Sequence, residues 1–292
     1  MKILHLTFSV DCNDEIIHKY EKEGHQVSYL YFNDGTRGKY SIGSERARRY
    51  YQKHREYLET FDMIVISETT PLCRVFLENA PETTRMTIWV NNSFDYCDES
   101  NDDCNFPDPD YYELMRKAVQ EMKNVTFTFW TEIAREKMQA KLKIPCPGEI
   151  VKPSGYLVTY PLQEPVEQDC YFVGEFHNDN IMLNLADELR GFGIKVHSGR
   201  IHDPRDLRRY GAGLVHIPNS WSSLLLYRCF YMNVPVSIPS KKFLLELRDT
   251  YANFHWESHF SAENIEKSDW YAPENSKRIR YFDSFESLTK TI

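Results

Sequence analysis

Three short segments in the second half of the chain carry groups suited to holding an anion. Gly174-Glu175-Phe176-His177-Asn178-Asp179 joins a strand-like run to a helix-like one. Gly174 admits close approach of a backbone or ligand, and the helix start that follows offers N–H groups to a negative charge. His197-Ser198-Gly199-Arg200 ends another strand-like run, where Arg200 can lay a guanidinium on a phosphate or a flat ring. Pro218-Asn219-Ser220-Trp221-Ser222-Ser223 opens an apolar helix with three serines in four positions. Such hydroxyls and amides suit a diphosphate, and the helix dipole adds attraction. Plainer roles fit the same residues: a strand-to-helix turn, a surface loop, and an N-cap at Ser222 or Ser223. With Arg228 in the following helix, the candidate anion-binding set is Gly174, His177, Ser198, Arg200, Ser220, Ser222, Ser223 and Arg228.

The first half contributes carboxylates at strand ends. Asp11 follows the first strand-like run, Glu68 the third and Asp95 the fourth. Each is a candidate general base, and each also fits an ordinary role as a helix cap, a turn residue or a solvated charge. The run Asp98, Glu99, Asp102 and Asp103 has oxygen ligands for a divalent cation but reads as a solvated loop, so no metal site is expected.

The elements that must position these groups alternate. MKILHLTF, HQVSYLYF, FDMIVIS, TRMTIWVNNS and VTFTFW read as strands. Residues 11–23, 44–60, the PLCRVFLEN segment, 111–124 and 131–143 read as helices, with Thr131 as an N-cap. After a Pro-rich stretch the pattern restarts. QDCYFVGEF, GIKVHSG, AGLVHIP and VPVSIPS read as strands, and residues 180–190, DPRDLRRY and SSLLLYRCFYM as helices. Asn233 stands where a left-handed residue ends a helix, and Pro235 blocks continuation. Beyond about residue 250 no element is legible. The series implies parallel sheets with right-handed crossovers. The expected architecture is α/β, two Rossmann-like domains facing a cleft, the first over residues 1–155 and the second over 165–292.

Composition narrows the partners. The net charge of −8 argues against nucleic acid, whose phosphate backbone calls for a basic surface. The 14 % aromatic content serves a core, or a cleft that stacks flat rings. Seven cysteines, an odd number without a Cys-x-x-Cys pair, read as reduced thiols; Cys97 and Cys104 are spaced to close a loop, with no His or further Cys nearby to complete a zinc set. The amino-terminal sequence lacks signal-peptide features, and no apolar run approaches the roughly 20 residues of a membrane span. A cytoplasmic location is therefore expected.

The stretch GLVHIPNSWSSLLLYRCFYMNVPVSIPS resembles the nucleotide-sugar segment of GT-B glycosyltransferases, where a strand, a Ser- or Gly-rich turn, a helix, a Gly and then Pro-Val recur in this order, with Asn233 here in place of the usual Gly. YFVGEFHNDNIMLNLADELRGFGIKV is similar to the unit that opens their donor domain, and VTFTFWTEIAREKMQAKLKIPCPGEIVKPSG to the last unit of their acceptor domain. Exostosin-like carboxyl-terminal halves are the nearest in flavour. The resemblance implies an N-terminal acceptor domain and a C-terminal donor domain. It implies glycan biosynthesis: a sugar moves from a UDP- or GDP-linked donor to a hydroxyl of a carbohydrate or glycoconjugate acceptor, with no required cofactor. Many retaining members carry a Glu pair around this helix; here Tyr227 and Arg228 stand in the region, which favours inversion. The alternatives are a GT-B-shaped sugar-nucleotide epimerase, which needs no acceptor, and a nucleotide- or sugar-binding module without catalysis.

Overall fold

The computed structural model describes residues 1–8, 12–33, 42–91, 93–95, 109–157, 166–174, 183–218, 220–251 and 262–291. The chain divides into two compact units, Met1–Pro153 and Ser154–Ile292, each with its own buried apolar cluster.

The first unit is built on β1 (Lys2–Thr7), β2 (Gln26–Tyr31), β3 (Met63–Ser67), β4 (Arg85–Val90), β5 (Val125–Phe129) and the short β6 (Glu149–Ile150). All pair in parallel, in the order β2-β1-β3-β4-β5-β6. β1 and β3 are nearly continuous apolar runs because both faces are covered, and β1 is buried from Ile3 to Thr7. β2, at the edge, is half-exposed along its length. The crossovers contain α1 (Asn13–Lys22), α2 (Ser44–Leu58), α3 (Arg74–Leu77, after a 3₁₀ turn at Thr70–Cys73), α4 (Pro109–Gln120) and α5 (Glu132–Leu142). Thr131 caps α5 by accepting from Ala134 N–H at 3.1 Å. Arg74, 1 % exposed, ties α3 to the entry of α2: its guanidinium donates to Ile42 O and Ser44 Oγ and pairs with Glu78 at 2.8 Å.

The second unit repeats the plan with β7 (Tyr171–Gly174), β8 (Val196–Gly199), β9 (Gly213–Val215), β10 (Val236–Pro239) and β11 (Ile279–Phe282), parallel in the order β11-β10-β9-β7-β8. Its helices are α6 (Leu185–Gly191), α7 (Leu224–Met232), α8 (Lys241–Thr250) and α9 (Ala262–Lys267). α7 is buried at seven of its nine residues, as an all-round apolar sequence requires. Gly155, at φ +74°, passes so close to this helix that a Cβ would lie 2.0 Å from Tyr227 O, so the position admits glycine alone.

Both sheets therefore share one winding, second strand outermost and first strand beside the third. The order reverses at β1/β3 in one unit and β7/β9 in the other. In doubly wound sheets ligands bind outside the carboxyl ends of the strands at such a reversal.

Some elements differ from the sequence expectation. The helix expected over 180–190 begins at Leu185, where the Asn184 side chain accepts from Asp187 N–H at 3.1 Å; residues 180–182 lie outside the described set. DPRDLRRY forms a 3₁₀ helix, Pro204–Arg209, and not an α-helix. β11 is an unforeseen strand; its central Arg280 is exposed, and Tyr281 is partly exposed while its ring stacks on Tyr271.

Candidate functional site

At the reversal of the second sheet, Gly174 ends β7 and pairs in register with Gly199 of β8. Arg200 follows directly and is exposed at the same carboxyl edge. Among the described residues, a Cβ at Gly174 would meet nothing within 4 Å. Ser198, on the edge strand, accepts from Arg190 Nη2 at 3.2 Å. His177 and Asn219 lie outside the described residues.

The turn after β9 separates the roles of its serines. Ser223 caps α7, its Oγ accepting from Leu225 N–H at 3.2 Å. Ser220 Oγ donates to Ser222 O at 2.6 Å and closes the turn. The Ser222 hydroxyl is buried and, among the described residues, has no hydrogen-bond partner. Arg228 is 6 % exposed on α7. Its charge reaches Asp203, whose carboxyl is held below its ordinary range first by hydrogen bonds from Arg205 and last by Arg228. The Arg228 charge thus acts on a partly exposed carboxylate already paired with Arg205. At the other end of the helix Asn233 has φ +58° and donates its N–H to Phe230 O, the left-handed stop expected there.

The tail supplies what the sequence did not announce. Asp269 N–H donates to Trp221 O at 2.8 Å, and Trp270 Nε1 donates to Ser220 O at 2.7 Å. The Trp270 ring, fully buried, stacks on His216 at the end of β9 with centroids 4.7 Å apart. A Trp far along the chain in an aromatic, polar tail is the one visible signal, and it does not name its partner.

In the first unit a polar chain spans the reversal between β1 and β3. His5, with no exposed surface, bonds Asn13 Oδ1 through Nδ1 at 2.7 Å and Ser67 Oγ through Nε2 at 2.6 Å. An amide oxygen only accepts, so the proton resides on Nδ1 and the Ser67 hydroxyl donates to Nε2. Asn13 Nδ2 donates onward to the Tyr31 hydroxyl at 2.7 Å. Burial pushes the His5 imidazole down to about 4, against a smaller upward pull from Asn13, and keeps it neutral.

Glu68 follows Ser67 with φ +63°, a backbone region that non-glycine residues visit at a cost and that clusters at functional sites. With its amide turned to satisfy both ends, Asn91 accepts from Glu68 N–H at 3.3 Å and donates to Trp89 O at 2.8 Å. Thr69 and Thr70 come next, fully buried, and among the described residues neither hydroxyl has a partner. Asp95 also follows β4 but is fully buried, accepting from Ser93 Oγ at 2.5 Å, Tyr112 Oη at 2.6 Å and Lys141 Nζ at 2.7 Å. Its oxygens anchor the loop to α4 and α5. Asp11, the acidic run 98–103 and the Cys97/Cys104 pair lie outside the described residues.

Among the described residues no group of three or more His, Cys, Asp or Glu side chains is placed to hold a metal ion. No described helix is long and apolar enough to cross a membrane. The cysteines at 12, 73, 146, 170 and 229 are buried, and none is in a disulfide among the described residues.

The whole chain is similar to a crystal structure from Listeria monocytogenes assigned as a UDP-N-acetylglucosamine 2-epimerase. The likeness has a TM-score of 0.51 at 13 % identity and covers 94 % of this chain and 93 % of that one. It defines the class: an α/β fold of the GT-B type, with two Rossmann-like units in one chain. Two ketoreductases, the first of the tylosin PKS and an N-terminal one from the macrolactin assembly line, align with TM-scores of only 0.27 and 0.25. Their identities are 12 % and 10 %, over 68 % and 86 % of this chain and 54 % and 58 % of theirs. No family model matches the chain, and no curated protein matches it.

Proposed function

We propose that the protein is an enzyme acting on a nucleoside-diphosphate sugar, UDP- or GDP-linked, whose diphosphate is held at the carboxyl edge of the second unit. The observation that carries this reading is Ser222. Its hydroxyl is buried and, among the described residues, unpartnered in the turn that opens α7, beside the strand-order reversal. Leaving such a group unsatisfied costs roughly 1–3 kcal/mol, and a phosphate oxygen is the acceptor that removes the cost. The amides of the turn and the dipole of a nine-residue helix favour the same charge. Gly174 and Arg200, at the ends of the two neighbouring strands, extend the edge.

The reaction proposed is epimerisation of the bound sugar. The likeness to an assigned sugar-nucleotide epimerase over nearly the whole chain supports it. Inverting a carbon that bears hydrogen needs a group that removes a proton. Glu68, strained at the end of β3, is proposed for that role; Asp95 is committed to Lys141 and two hydroxyls. Transfer of the sugar to a carbohydrate hydroxyl, with inversion and Glu68 as base, is the second reading. It is favoured by the order of strand, Ser-rich turn, helix and Pro-Val in the second unit.

Calorimetry with UDP and GDP on the whole protein and on Ser222→Ala tests the site. Loss of the hydroxyl is expected to weaken binding roughly 5- to 10-fold. Equal affinity in a folded variant rejects Ser222 as a ligand group.

A further inference from the structure

The turn proposed to hold the diphosphate is short, and its conformation is not set by its own residues alone. Its two successive carbonyls, Ser220 O and Trp221 O, are both bound by successive residues of the tail: Trp270 through Nε1 at 2.7 Å and Asp269 through its backbone N–H at 2.8 Å. A third tether reaches the first turns of α7, where Tyr227 Oη donates to Asp269 Oδ2 at 2.8 Å. The tethering pair is itself immobilised. Asp269 and Trp270 have no exposed surface, Asn275 Nδ2 donates to Asp269 O at 2.8 Å, and Tyr281 Oη donates to Trp270 O at 2.9 Å.

Peptide geometry gives these bonds a consequence. In a planar trans peptide the N–H points opposite to the C=O of the same unit. Fixing Ser220 O and Trp221 O towards the tail therefore directs the N–H groups of Trp221 and Ser222 away from it. Two carbonyl dipoles that would repel a phosphate are drawn to one side, and two amide dipoles that attract it are turned to the other. We propose that Asp269 and Trp270 are positioning residues that preset this turn for its anion, so that the nucleotide meets donors already aimed. The proposal rests on the nucleotide reading of the preceding subsection.

The test uses the full chain, with UDP and GDP as probes. Trp270→Phe keeps an aromatic ring against His216 and removes only the indole donor. Tyr271→Phe is the control: it deletes a comparable buried bond, Tyr271 Oη to Pro239 O at 2.8 Å, from the same segment without touching the turn. Affinity is measured by calorimetry and the turn by hydrogen exchange of peptides covering residues 220–226. Trp270→Phe is expected to weaken nucleotide binding roughly 3- to 10-fold and to speed exchange of the turn. Tyr271→Phe is expected to lower the melting temperature while leaving both readouts as in the wild type. Unchanged affinity in Trp270→Phe overturns the proposal, as does an equal loss in Tyr271→Phe. If Trp270→Phe does not fold, Tyr227→Phe, which cuts the third tether, is read against the same control and by the same two outcomes. If the wild type binds neither nucleotide, the nucleotide reading falls. Exchange then still judges the clamp: faster exchange of the turn in Trp270→Phe alone upholds it, and equal exchange in all three proteins overturns it.

Discussion

Glu68 occupies a backbone region that glycine enters freely and other residues enter at about 1–2 kcal/mol. The backbone at this turn suits glycine, whereas the proposed proton transfer requires the carboxylate. Glu68→Gly is therefore expected to keep or raise the melting temperature while lowering turnover roughly 10²- to 10⁴-fold. Scanning calorimetry beside an activity assay checks both halves, and a variant that is stabilised and fully active removes Glu68 from the chemistry. His5 supports a pH prediction. Its folded pKa, about 4, lies below the unfolded 6.5, so the unfolded chain binds the proton first as pH falls. Stability is complete above about pH 6.5, declines towards pH 4 and levels off below, a total of about 3 kcal/mol from this group. Urea unfolding between pH 7 and 4 is expected to show a flatter acid limb for His5→Gln than for the wild type. Parallel limbs would remove the assignment. Glu68 was visible in the sequence as a carboxylate at a strand end; its strain was not, because a positive φ leaves no mark on residue type. His5 was hidden inside a run that reads as an apolar strand, and its partners Asn13 and Ser67 belong to a helix start and another strand.

At the level of elements, α7 shows how closely local sequence and structure agree where every cue is consistent. Its apolar residues on all sides require burial, Ser223 caps it, and Asn233 ends it in the left-handed region before Pro235. Ser223→Ala is expected to cost about 1 kcal/mol by loss of the cap, and Asn233→Ala about as much, because alanine lacks the local side-chain bonding that eases this conformation. Chemical denaturation checks both. A Ser223→Ala variant as stable as the wild type would show that the turn is held wholly by its other bonds. The same reasoning explains what was not legible. β11 is four residues long with Arg and Tyr at its centre, too little for a period-two signal. The segment at Asp269 and Trp270 acts on residues some 50 positions away, a relation that appears only when the chain is folded.

The whole molecule uses one winding twice, and each unit places its polar groups where its own strand order reverses. That plan was readable from the alternation of strands and helices. The reaction was not, because one fold carries many chemistries and only the site distinguishes them. Epimerisation and transfer differ in which bonds they break, and the difference can be read without knowing an acceptor. Inverting a carbon that bears hydrogen removes that hydrogen as a proton and returns a proton to the opposite face. A carboxylate that carries the proton between exchanges it with solvent, so in D₂O the recovered nucleotide sugar gains a single carbon-bound deuterium. Glycosyl transfer breaks the bond between the anomeric carbon and the phosphate oxygen and leaves every carbon-bound hydrogen in place. The expected result, with a panel of UDP- and GDP-sugars and no acceptor, is deuterium on the sugar ring by NMR and mass spectrometry, lost in Glu68→Gln. Nucleotide release that begins only when a carbohydrate acceptor is added, with no ring deuterium, would overturn epimerisation in favour of transfer. Tight binding with neither label nor release would make the protein a nucleotide-sugar-binding module, and would leave the strain at Glu68 without the role assigned to it.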